Sequence, residues 1–200
     1  MTMAAIPQGA GSSPWPGAAA RVVAHPGVRD SFTATLGMVL FLASWGMMFA
    51  GLFFSYGLVR SRSPAWPPLD QPALPLALPG ANAGVALLSS GALLLALRAL
   101  RQGAVRRATL ALGCAAALGL AFLALQAAVW VSLWRAGLRP DGGPYGSVFY
   151  ALTGFHAAHV AVGLGALGAL AFRSARGAYN AARHLPVRLW AMYWHFVGAV

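Results

Sequence analysis

Four apolar runs without a charged side chain dominate the sequence: Ser31 to Val59, Gln71 to Leu97, Ala108 to Trp134 and Gly142 to Phe172. Each exceeds the roughly 20 residues that cross a hydrocarbon core of about 30 Å. Unpaired backbone groups are costly in lipid, so runs of this length settle as spanning helices. The expected fold is therefore an all-α, polytopic transmembrane helix bundle over residues 31–200, behind a disordered amino-terminal tail over residues 1–30 that Pro7, Pro14 and Pro16 interrupt. Pro72, Pro75 and Pro79 open the second run and place the start of its helix near Gly80. A fifth apolar segment, with Pro186 as a first-turn residue, continues for 15 residues to Val200 and reaches only about 22 Å. Four full spans plus a short fifth is the predicted architecture.

Hydrophobic residues make up 59% of the chain and charged residues 8%, against about a quarter charged in a soluble domain, which excludes a soluble globular fold. All 14 basic residues are arginine, and the acids are Asp30, Asp70 and Asp141. The net charge of +11 is gathered in short clusters between the apolar runs, so the expected partner is anionic lipid headgroups and no nucleic acid is expected. Arg98, Arg101, Arg106 and Arg107 lie in the second loop, and Arg173, Arg176, Arg183 and Arg188 in the fourth. The positive-inside rule turns both loops and the amino terminus to the cytoplasm of a multi-pass protein in the cell inner membrane. Trp66, Trp130 and Trp134 then fall at the outer interface. The single cysteine, Cys114, lies inside an apolar run and reads as a packing residue.

Lipid tails are as apolar as leucine, so helices associate through close backbone approach and interhelical hydrogen bonds. In the fourth run Gly154, Ala158, Ala161, Gly165 and Gly168 form a smooth stripe, expected to pack on a neighbouring helix. Hydroxyls within the spans are expected to bond back to the preceding turn, whereas Gln126 requires an interhelical partner. His156 and His159 share one helix face, and His195 enters from the last segment. No acid lies in the spans to orient a ligating imidazole, so no metal ligand is assigned, and helix-to-helix or headgroup hydrogen bonding is the expected role. A small b-type cytochrome with axial ligands among these histidines is the competing class.

Three segments carry a family resemblance. Gly37 to Ser44, continuing through Met48 to Phe53, resembles the first helix of the five-helix subunit III of haem-copper oxidases. Leu120 to Gln126 is similar to a later helix of that family, and the block from Phe149 through Thr153-Gly-Phe-His156-Ala-Ala-His159 with Tyr193-Trp-His-Phe-Val197 is the most specific match. The resemblance covers about Phe32 to the end. It implies a helical subunit without a catalytic residue or cofactor of its own, docked on oxidase subunit I and other oxidase subunits. Haem and copper would reside in the partner, within a complex that reduces oxygen and pumps protons in aerobic respiration. Ser44 and Gln126 are carried over as interhelical positions, and His156, His159, Trp194 and His195 as structural or lipid-contacting ones. The chain departs from the family where it has Trp45, Val129 and Gly198 in place of two glutamates and an aspartate. A proton-linked role loses its carboxylates there. The accessory subunit of a quinol oxidase or nitric-oxide reductase is a second reading of the same helices.

Overall fold

The computed structural model describes residues 26–68, 72 and 77–200. Of the expected amino-terminal tail, residues 1–25 lie outside this range, as do Asp70 and Pro75. Five helices follow one another: α1 (Pro26–Arg62), α2 (Ala77–Arg101), α3 (Val105–Arg135), α4 (Pro144–Ala175) and α5 (Leu185–Ala199). The first four are long and apolar enough to cross a membrane, and α5 is the short fifth. Helix α1 starts at Pro26, so residues 26–30 are helical, where the sequence predicted tail. Helix α2 starts at Ala77 rather than near Gly80, with Pro79 inside its first turn. Proline is accommodated there because the first-turn N–H groups have no intrahelical acceptor in any case.

Three of the connections end a helix in the same way. Gly103 takes a positive φ of 74°, its N–H reaches Leu100 O, and Ala104 N–H reaches Ala99 O at 2.9 Å. These paired bonds satisfy carbonyls that the helix end would leave open, and only glycine adopts that φ without strain. Gly137 and Gly177 repeat the arrangement after α3 and α4. The turns fold α2, α3 and α4 back on one another, and α5 returns between α2 and α4 to close a four-helix ring. Helix α1 lies outside, in the seam between α4 and α5, and its described backbone does not approach that of α2 or α3.

The core is uneven along the bundle. Around the α2–α3 turn it is dense, with Leu93, Leu100, Leu112, Leu167 and Val187 fully enclosed. A smaller cluster of Val129, Leu133, Leu138 and Tyr145 closes the opposite end. Large apolar side chains outside the core face outward, with Met47 78% and Phe54 73% exposed. A surface of this kind is matched by lipid tails and not by water.

Candidate functional site: an aromatic interlock and a polar cavity

Helix α5 fits inside the ring because two glycines make room for one indole. The Trp194 ring is buried against Gly119 of α3 and Gly163 of α4. A Cβ on either glycine would stand 2.8 Å from a Trp194 ring carbon, closer than real contacts allow. The indole Nε1–H donates to Ser89 Oγ at 3.1 Å, and that hydroxyl donates to Ala115 O of α3 at 2.8 Å. One side chain thus ties α5 to α2, α3 and α4. Beside it Tyr193 OH donates to His159 O at 3.0 Å. At the other end of α5, Arg188 donates to Thr35 Oγ1 of α1 at 3.0 Å.

Further interhelical bonds join α3 to its neighbours. Asn82 Nδ2 donates to Gln126 Oε1 at 3.5 Å, Trp130 Nε1 to Thr153 Oγ1 at 3.0 Å, and the Thr109 and Ser174 hydroxyls share a hydrogen bond of 2.7 Å. Trp130, expected at the interface, is therefore half-buried between α3 and α4, because its N–H finds a hydroxyl there. Trp66 stands edge-on to Tyr145 at 4.8 Å, and Trp134 remains exposed beneath the Arg139 guanidinium.

Between the ring helices lies a partly open cavity of about 270 Å³ beside the last residues of α5, lined by Asn82, Ser89, Phe122, Gln126, His156 and Gly198 among others. Asn82 Oδ1 is buried with no protein partner. Sequence reasoning did not single out Asn82; its signal is an amide at the head of an otherwise apolar run. His156 sits between the edges of Phe49 and Phe122, with centroids 6.4 and 5.8 Å away. His159 Nδ1–H donates to Phe155 O at 2.6 Å, and its Nε2 is buried and unpaired. The Trp45 ring covers it edge-on at 4.1 Å. His195 Nε2 is likewise buried and unpaired. Among the described residues no three His, Cys, Asp or Glu side chains come together in a ligand set, so the imidazoles do not converge.

Two expected contacts take other partners. The Ser44 hydroxyl is exposed and donates back to Leu40 O at 3.0 Å, so among the described residues it joins no second helix. Ser89 does the opposite: expected to bond back, it bridges α2, α3 and α5. The Gly154, Ala158, Ala161, Gly165 and Gly168 stripe faces away from the other helices; Gly154 is half-buried and the rest are exposed. Helix α4 instead buries Val160, Gly163, Leu167 and Leu170. Small residues permit close approach on any face, and the bulk of Trp194 decides which face the ring uses.

The three positions where the family resemblance implies an acid are occupied by packing residues. Trp45 covers His159, Val129 is 2% exposed within the apolar end cluster, and Gly198 lines the cavity. Val129→Glu is expected to destabilise the chain by about 1–3 kcal/mol, since the carboxyl would enter an apolar pocket without a partner. Gly198→Asp should cost less, because a Cβ there meets only Ser90 Oγ at 3.5 Å, an ordinary contact. Thermal denaturation of both variants in mild detergent checks the order.

Fold and site together define a polytopic helical membrane protein whose interior polar groups join helices. The sequence matches the family described as cytochrome c oxidase subunit III over residues 24–200, and the chain belongs to that family. It is 37% identical over 177 residues to cytochrome c oxidase subunit 3 of Synechocystis sp., covering 88% of this chain and 72% of the relative. Its identity to the corresponding subunit of Thermostichus vulcanus is 34%, over 88% of this chain and 84% of the relative. The subunit of Formosania lacustris is 33% identical over 82% of this chain and 64% of its own length. These relatives support subunit III of a cytochrome c oxidase, a component of a multi-subunit complex, over the quinol-oxidase, nitric-oxide-reductase and b-type-cytochrome readings.

Proposed function

We propose that this chain is a non-catalytic scaffold of the oxidase, docked on the large subunit that carries haem and copper and stabilising it in the inner membrane. The observation that carries this reading is the use of the interior polar groups: Ser89, Trp194, Gln126, Asn82, Thr153 and Tyr193 all join one helix to another. Such an interior makes a rigid body with a fixed outer surface. The outward stripe of α4, from Gly154 to Gly168, is the face on which a helix of the large subunit would approach closely. His156, His159 and His195 serve as structural or lipid-contacting groups: His156 and His159 lie against the rings of Phe49, Phe122 and Trp45. The eight arginines of the second and fourth loops, and the amino terminus with them, face the cytoplasm.

His156→Ala is expected to lower the amount of large subunit that co-purifies with the tagged chain, while the turnover of whatever oxidase does assemble stays unchanged. Co-purification in mild detergent, with haem content and oxygen consumption per haem, reads both quantities. Unchanged complex yield and stability in the variant would count against the scaffold role of this residue.

A further inference from the structure

Where α4 ends and α5 begins, a groove of about 240 Å³ is lined by Ala166, Ala169, Arg173, Tyr179, Pro186 and Trp190 among others. The turn after α4 builds it. Gly177 takes a positive φ of 75°, and Ala178 N–H returns to Arg173 O at 3.0 Å. The chain reverses at once, so Tyr179 folds back with its ring in the core, 5% exposed. Trp190 of α5 lines the groove too, held edge-on to Tyr193 at 5.3 Å. Ala166 and Ala169 are small enough to keep the α4 wall low.

The polar side chains of this groove are all donors: the Arg173 guanidinium, the Tyr179 hydroxyl and the Trp190 indole N–H. Among the described residues none of the three makes a hydrogen bond or an ion pair. Other arginines are engaged within the chain: Arg188 with Thr35, Arg176 over Phe172 and Arg139 over Trp134. A guanidinium fork beside a phenol matches a carboxylate, whose two oxygens lie in one plane and accept from both. This chain has few carboxylates to offer, with 14 basic residues against three acids. Neither described acid, Asp30 or Asp141, pairs with Arg173.

We propose that the groove receives an Asp or Glu side chain of the large oxidase subunit, its carboxylate accepting from Arg173 and from Tyr179 or Trp190. The assignment rests on the scaffold reading, in which the outward stripe of α4 is the docking face. Ala169 follows Gly168 of that stripe and lies about 40° around the helix from Gly165, so the groove opens along its edge. Small side chains on this wall favour a protein helix over a lipid phosphate: they let a second backbone come close, whereas a fluid lipid fills any surface.

The sequence contains no lysine, so Arg173→Lys gives the chain a single side-chain amine. Oxidase purified through a lysine-free tag on this variant is treated with a water-soluble carbodiimide, which joins an amine to a carboxylate only in direct contact. An amide cross-link from position 173 to an acidic residue of the large subunit is expected, located by peptide mass spectrometry. Arg176→Lys, whose parent side chain lies over Phe172, should give none. Arg173→Gln should lower the large subunit retained through a salt wash by about tenfold, and Tyr179→Phe by a smaller factor. No cross-link at position 173 in an intact complex, an equal yield at position 176, or a cross-link to Asp30 or Asp141 would overturn the assignment and leave the scaffold reading standing. So would loss of bound phospholipid from Arg173→Gln with the large subunit fully retained. A parent chain that brings down no large subunit would overturn both.

Discussion

Trp194→Ala is expected to be among the most disruptive single substitutions in the bundle. The indole fills the space between Gly119 and Gly163 and donates the bond that holds Ser89. In a soluble core the removal of such a ring costs about 3–5 kcal/mol. In lipid the transfer part of that cost is absent, so the loss comes from the cavity and the severed contacts, about 2–3 kcal/mol. Trp194→Phe keeps most of the ring and loses the hydrogen bond, for about 0.6 kcal/mol. Reversible unfolding in mixed detergent micelles measures both. A Trp194→Ala chain as stable as the parent would mean that α5 is held by its flanking contacts through Tyr193 and Arg188 instead.

Gly163→Val is the complementary change, adding bulk where Trp194→Ala removes it. The first added carbon alone would lie 2.8 Å from Trp194 Cε3, 2.9 Å from Cζ3 and 3.0 Å from Tyr193 Cε1. Two aromatic side chains would have to move at once, and neither is a flexible chain end. Overpacking of this kind costs about 1–3 kcal/mol, and the second methyl of valine puts the substitution at the upper end. The two changes are coupled, so Gly163→Val in a Trp194→Ala background should cost far less, with an interaction energy of about 0.5–3 kcal/mol. The same valine at Gly165, where an added Cβ meets nothing within 4 Å, should leave the stability of the isolated chain unchanged. In the assembled oxidase Gly165→Val tests the outward stripe instead: reduced association with the large subunit is the result expected of a docking face.

These two glycines show where the sequence was readable and where it was not. Gly163 and Gly165 are two residues apart in the same helix and alike in composition, and the regular spacing of the stripe pointed to Gly165. Only the position of Trp194, 31 residues further along the chain, distinguishes them. Ser89 is a similar case. Its neighbour Ser90 has the same chemistry, and the helix rotation that brings Ser89 to Trp194 is set by how α2 packs on α3 and α5. Gln126 was legible as an interhelical residue because an amide buried in hydrocarbon cannot satisfy itself, although its partner Asn82 was not named.

The sequence by itself determined the four spans, a fifth helix and the family. Charge-free runs longer than a bilayer permit no other backbone than helix, and the Thr-Gly-Phe-His-x-x-His block with Trp-His-Phe-Val is a local pattern. Tertiary structure alone decided which small residues face inward, which hydroxyls bridge helices, and that Arg173, Tyr179 and Trp190 line one groove. Each of these depends on the rotation of a helix about its axis and on a neighbour distant in sequence. In a membrane that rotation is set by steric fit between packed side chains, and apolar periodicity does not encode it when both faces of a helix are apolar.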